Sequence, residues 1–277
     1  MKKILFAFTC CALLATTSAF AQKSITLLHT SDTHSCIEPI SKNDLNADQA
    51  GKAGYLRRAA LVDSLRNITP DLLLLDCGDF SQGSAYYSLF KGEVEVKLMN
   101  LMRYDACAIG NHEFDNGLEN MARLFRMAQF PIICSNYDFT DTPVEGLVKP
   151  YTIIERGGLR IGILGVSPRL EGLVAKATYG NTRYTDPAEA AQPIVDLLRK
   201  QEKCDLVICL SHLGYTDAPE SDITFIQKTR GIDVVLGGHS HTYFPQVKYL
   251  PNADGHLIPL DHQGKNARFV GKIVLEY

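Results

Sequence analysis

Ile25-Thr26-Leu27-Leu28-His29-Thr30-Ser31-Asp32-Thr33-His34 decides the fold: a short apolar run gives way within one turn to Ser, Asp and His. A continuous apolar run this short reads as a buried strand, and Asp32 and His34 then sit just past its C-terminal end. The figure recurs downstream. Leu72-Leu73-Leu74-Leu75 runs into Asp76-Cys77-Gly78-Asp79, and Ala106-Cys107-Ala108-Ile109 runs into Gly110-Asn111-His112-Glu113-Phe114-Asp115. Residues 206–210 lead into Ser211-His212, and 234–236 into Gly237-Gly238-His239-Ser240-His241. Open α/β sheets bind ligands outside the carboxyl ends of their strands.

Further apolar runs at 131–134 and 161–166 read as strands, and helical stretches at 55–66, 94–102 and 118–128 lie between the runs. Asp186-Pro187-Ala188-Glu189 opens another helix with an N-cap and a proline in the first turn. Alternating strands and helices predict an α/β fold. From Tyr151 the pattern changes: extended runs 151–156 and 159–163 flank Gly157-Gly158, the signature of a tight hairpin. Residues 246–250, 256–260 and 269–277 also read as strands, so the sheets should be mixed. The polar stretches 38–54, 138–150 and 171–184 read as loops, none of them an interdomain linker.

The 277 residues carry 28 Lys plus Arg against 31 Asp plus Glu, a net charge of −3, with 45% hydrophobic and 21% charged residues. That composition excludes a disordered tail, and the near balance of charge argues against a nucleic-acid polymer as partner. Lys2 and Lys3 precede an apolar run over 4–14 and the small-residue site Ala19-Phe20-Ala21, which reads as a secretory signal spanning residues 1–21. The run is interrupted by Thr9, Cys10 and Cys11 and falls short of the roughly 20 apolar residues a span needs, so stable membrane insertion is not expected. A lipid anchor at Cys10 or Cys11 is disfavoured, because apolar residues follow both. Residues 22–277 then form one exported domain, periplasmic or extracellular, with 26 basic and 31 acidic groups, 26 − 31 = −5. Its six cysteines lie mostly in or beside apolar runs, where a free thiol serves as a small hydrophobe.

Imidazoles and carboxylates without clustered thiolates suit Zn, Mn or Fe. His34, His212, His239 and His241 with Asp32, Asp79 and Asn111 exceed the four ligands of a single tetrahedral site. Two divalent ions therefore fit better than one, with a carboxylate able to bridge them.

On Leu-His-Thr-Ser-Asp-Thr-His, Cys-Gly-Asp, Gly-Asn-His-Glu-Phe-Asp, Leu-Ser-His-Leu-Gly and Gly-Gly-His-Ser-His, in that order, the chain resembles the calcineurin-like metallophosphoesterases, and among them the catalytic domain of the bacterial 5′-nucleotidases and 2′,3′-cyclic phosphodiesterases. The resemblance, from Ile25 to the C-terminus, implies a single four-layer α/β/β/α sandwich with two mixed central sheets. It implies that Asp32, His34 and His241 hold one ion, that Asn111, His212 and His239 hold the second, and that Asp79 bridges them. Gln or Asn often stands at the position of His241 in that branch, so the imidazole is a departure. His112 would be the general acid, oriented by Asp115, while Glu113 reads as structural. His29 reads as a core residue, Cys36 as a small residue behind its loop, and His256 and His262 stay outside the site. The branch also continues into a nucleotide-binding domain with phosphate-binding arginines and base-stacking rings, for which no counterpart is read here, so a separately encoded partner could supply one. The expected activity is hydrolysis of phosphate monoesters, 5′-nucleotides foremost, by a metal-bound hydroxide, with phosphodiester hydrolysis as the alternative and a non-catalytic binding subunit as a further one.

Overall fold

The computed structural model describes residues 24–276. The signal read over residues 1–21 lies outside them. In chain order the first half supplies β1 (Ser24–Thr30), α1 (Tyr55–Ile68), β2 (Leu73–Asp76), α2 (Ala85–Phe90), α3 (Glu93–Met102), β3 (Ala106–Ala108), a 3₁₀ turn (His112–Phe114), α4 (Gly117–Met127), β4 (Ile132–Ile133), β5 (Tyr137–Asp138) and β6 (Val148–Lys149). The second half supplies β7 (Tyr151–Arg156), β8 (Leu159–Val166), α5 (Lys176–Tyr179), β9 (Arg183–Tyr184), α6 (Pro187–Lys200), β10 (Leu206–Ser211), α7 (Asp222–Lys228), β11 (Val234–Gly237), β12 (Lys248–Pro251), β13 (Leu257–His262) and β14 (Gly271–Glu276).

Two six-stranded sheets result, ordered β14-β1-β2-β3-β4-β6 and β12-β13-β11-β10-β8-β7, beside a small β5-β9 pair. Both large sheets are mixed. β14 runs antiparallel to β1 in the first, and β7 and β12 run antiparallel to β8 and β13 in the second, around parallel centres. The hairpin read from Gly157-Gly158 is present: Arg156 pairs with Leu159, and both glycines take positive φ, 60° and 72°.

Period-2 alternation explains the layering. Leu27, Leu73 and Leu75 point into a core shared with Ile161, Ile163, Ile208 and Leu236 of the other sheet. Leu28, Leu72 and Leu74 point the other way, against Val62, Val96, Met99 and Met121 of the helices. In the second sheet Leu164, Val207 and Cys209 face Val195 and Leu198 of α6. Each central strand is thus apolar on both faces, which is why these runs carry no alternation in sequence. The outcome is the four-layer α/β/β/α sandwich.

Short elements differ from the sequence expectation. α2, α5, α7, β5, β6 and β9 lie where the sequence pattern predicts no element. α2 buries none of its residues, so its sequence carries no apolar stripe. Its start is set by Ser84, whose side chain accepts from the Tyr87 amide. The described cysteines are all free; five are buried and Cys36 is half-buried.

Candidate metal centre

The parallel strands of both sheets end at one edge, and the turns beyond them hold the donors. Asp32, His34, Asp79, His239 and His241 all take left-handed backbone, with φ of 48°, 46°, 56°, 72° and 56°. Asp and His are among the few side chains that tolerate this region, and each such residue costs on the order of 1–3 kcal/mol. The cost is met by backbone bonds between turns: Asp32 N–H donates to Gly78 O at 2.9 Å, and His34 N–H to Asp79 O at 3.1 Å. The His239 amide donates to both oxygens of Asp32 at 3.1 Å, tying the second sheet to the first. Gly110 leaves room for this packing, because a Cβ there would lie 2.1 Å from Asp79 Oδ1.

Three groups of donor atoms form, each with all members within 4.8 Å of one another: Asp32, His34 and His241; His34, Asp79 and His112; and Asp79, His212 and His239. In the first, His34 Nε2 and His241 Nε2 are 2.9 Å apart and lie 3.8 and 3.6 Å from Asp32 Oδ1. Metal–ligand bonds of about 2.0–2.2 Å put tetrahedral neighbours about 3.3–3.6 Å apart, close to this triangle. In the third, His212 Nε2 lies 3.0 Å from Asp79 Oδ2. His212 Nδ1 meets Cys77 O at 2.6 Å, so Nδ1 carries the proton and Nε2 faces the carboxylate. Asn111 is buried one residue before His112, whose backbone amide donates to Asp79 Oδ1 at 2.9 Å.

These donors fit divalent ions. Asn111 Oδ1 and His212 Nε2 are buried without a hydrogen-bond partner, a costly arrangement among protein groups alone. Burial holds the His34 and His239 imidazoles down to about 4, so both are neutral and able to ligate. Burial also lowers His241, and the Lys265 cation adds to it. Burial raises the Asp32 carboxyl. For His212 burial works downward, but the Asp79 and Asp32 carboxylates outweigh it and raise the imidazole. Asp79 itself falls: its burial is overcome by His212, His112 and His34.

His112 stands at the edge of the cluster, its ring 5.4 Å from that of His34, and its Nδ1 meets Asp115 Oδ2 at 2.8 Å. Burial lowers its basicity, yet the Asp115 hydrogen bond and the Asp79 charge prevail and raise it. Glu113 accepts the amides of Asp79, Phe80 and Gly110 at 3.0, 3.1 and 2.6 Å, clamping the β2 and β3 turns together as its structural reading expected. His29 bonds Asp261 at 2.9 Å and His262 bonds Asp222 at 2.7 Å, both buried and outside the three groups.

Several neighbours were not legible in the sequence. Arg58 of α1 is buried and donates to Thr33 Oγ1 at 2.8 Å, holding the turn between Asp32 and His34. Asn266 N–H donates to Asp32 O at 2.8 Å and brings the β13–β14 loop, with Lys265, to the same edge. Gly264-Lys265-Asn266 between two strand runs signals a turn, but not where that turn lands.

Comparison with known proteins falls on the same residues. The calcineurin-like phosphoesterase family pattern matches residues 25–243. A 5′-nucleotidase from Homo sapiens is 33% identical over 272 residues, covering 91% of this chain and 46% of that protein. The crystal structure of a 5′-nucleotidase precursor from Thermus thermophilus superposes with a TM-score of 0.83 at 30% identity, covering 91% of this chain and 51% of that one. The NAD nucleotidase of Haemophilus influenzae gives 0.81 at 25% identity, over 93% and 54%. The chain thus spans about half the length of these relatives. With the fold, the strand-end donors and the sequence match all falling together, the chain belongs to the calcineurin-like phosphoesterase family.

Proposed function

We propose that this protein hydrolyses phosphate monoesters, 5′-nucleotides foremost, with two divalent ions held between its sheets. Asp32, His34 and His241 would hold one ion, Asn111, His212 and His239 the other, and Asp79 would serve both. The observation that carries this reading is Asp79, which shares one donor group with His34 and a second with His212 and His239. Ions bound there would supply an activated water and neutralise charge on the phosphoryl group.

The chain's own residues do the rest. Asp115 fixes Nδ1 of His112, leaving Nε2 as the nitrogen that would give a proton to the departing alkoxide, and, against burial, the Asp115 bond raises the basicity of the ring. Glu113 and Arg58 hold the turns that aim the donors, so the site needs little rearrangement when substrate arrives. A nucleotide substrate is supported by the 5′-nucleotidase and NAD nucleotidase relatives. Export through residues 1–21, with 22–277 as the working domain, is supported by their basic–apolar–small pattern. No helix among the described residues is long and apolar enough to cross a membrane.

The test is to purify the protein, measure its metal content, and assay adenosine monophosphate, a 2′,3′-cyclic nucleotide and nitrophenyl phosphate with Zn, Mn or Fe restored. Hydrolysis of the monoesters with two ions per chain is expected. Two bound ions without cleavage of any ester reject a catalytic role, and preference for the cyclic substrate reassigns the protein to phosphodiester hydrolysis.

A further inference from the structure

Asp222, the first residue of α7, is fully buried and lies outside the three donor groups, yet its bonds converge on the turns that carry two of the donors. Its Oδ1 accepts from the Ser211 hydroxyl, its Oδ2 meets His262 Nε2 at 2.7 Å, and its backbone amide donates to Gly214 O at 2.9 Å. Ser211 Oγ in turn accepts the Leu213 amide at 3.2 Å, so one hydroxyl engages the chain on both sides of His212. The other two links lead to His239. His262 fills the space beside Gly237, two residues before His239: a Cβ at Gly237 would lie 2.1 Å from His262 Nε2. Gly214 backs the His239 ring, and a Cβ there would lie 3.3 Å from His239 Cδ2.

We infer that Asp222 is a positioning residue that aims the His212 and His239 imidazoles at one shared ion, acting through Ser211, His262 and Gly214. The inference rests on the two-ion reading above. A buried carboxyl group costs free energy unless it is bonded, and for stability alone an apolar side chain packs in such a place as well. What an apolar side chain cannot do is fix a hydroxyl and an imidazole in direction. The effect is confined to one ion. Of the other ion's donors only His241 shares a turn with His239, whereas the backbone amides of Asp32 and His34 are held by Gly78 O and Asp79 O. Loosening Asp222 therefore weakens the ion of His212 and His239 and spares its neighbour.

Stepwise zinc binding by chelator competition on the full chain tests this, read beside thermal unfolding of the metal-free protein. Asp222→Ala should weaken one binding step about tenfold, the low end for groups that support metal ligands, and leave the other within about twofold. Ser211→Ala, a smaller change that keeps the bond between Asp222 and His262, should weaken the same step to a lesser degree. Asp222→Asn should restore that step, because its oxygen still accepts from Ser211 and its amide donates to the other tautomer of His262. The affected step should be the one that His239→Ala abolishes, and adding Asp222→Ala to His239→Ala should not weaken the remaining ion further. Both steps weakening together as thermal stability falls, without rescue by Asp222→Asn, would overturn the positioning role and leave the two-ion reading standing. Unchanged steps in Ser211→Ala would overturn it as well, even if Asp222→Ala does not fold. An unsubstituted protein that binds fewer than two zinc ions refutes the two-ion reading, and the inference falls with it.

Discussion

The two sheets reach the centre with different chemistry. The turns after β1, β2 and β3 bring the carboxylates of Asp32 and Asp79 together with His34 and His112, whereas the turns after β10 and β11 bring imidazoles, His212, His239 and His241. Their supports differ too. Glu113 clamps the first set by accepting three backbone amides, while the second rests on a buried chain in which Ser211 and His262 both bond Asp222. Either half alone is electrostatically awkward. Burial raises Asp32 and Asp79 adds to it, and burial strips the charge from His239. Brought together, carboxylates and imidazoles compensate one another, and the contacts that do so cross between sheets: Asp79 to His212, and Asp32 to the His239 amide.

The sharpest way to break this pairing is at the junction. Asp79→Asn removes the negative charge that faces both halves; turnover should fall by orders of magnitude and elemental analysis should find fewer than two tightly held ions. Two ions with near-normal turnover would sink the two-ion reading. His112→Ala removes a first-sheet residue at the edge of the cluster, so metal content should survive while turnover drops about 10² to 10⁴-fold. The drop should be larger for an alkyl ester than for a nitrophenyl ester, whose phenolate leaves unaided; equal losses on both would reject His112 as the acid.

Supports can be weighed separately from donors. Glu113→Ala leaves the amides of Asp79, Phe80 and Gly110 without their acceptor, and should cost about 2–4 kcal/mol of stability in denaturant unfolding, since each buried unsatisfied group costs about 1–3 kcal/mol. A change below about 0.5 kcal/mol would mean that the β2 and β3 turns hold their shape unaided. The smallest effect concerns thiols. Burial pushes Cys77, Cys107 and Cys209 well up; it raises Cys36 too, but Cys36 is only half-buried and so within reach of a reagent. Thiol titration of the folded protein at neutral pH should find Cys36 reacting first and those three reacting only after unfolding. Rapid reaction of Cys77 or Cys209 would show that the sheets part more readily than their packing implies.

How much of this was legible depends on how local the cause is. Leu72-Leu73-Leu74-Leu75 reads as a strand because it is apolar on both faces, and the structure uses both faces. α2, Ala-Tyr-Tyr-Ser-Leu-Phe, escapes a sequence reading because it buries none of its residues and so has no stripe to betray it. Glu113 could be suspected as structural from its place beside Gly110 and Asn111. Arg58, by contrast, sits in a helix whose charged residues are mostly solvated, and its burial beneath Thr33 follows from how α1 packs on β1.

The sequence by itself determined the layered α/β frame and the identity and strand-end position of the donors, because burial periodicity and glycine-rich turns are properties of neighbouring residues. Tertiary structure alone decided that donors from two sheets, more than 200 residues apart in the case of His34 and His241, converge within hydrogen-bond distance. It also decided that the turns carrying Asp32, His34, Asp79, His239 and His241 are held left-handed, and that residues 35–38 and α2 enclose a cleft beside them. Those outcomes depend on the stacking of one sheet upon the other, and no local pattern encodes the register of that contact.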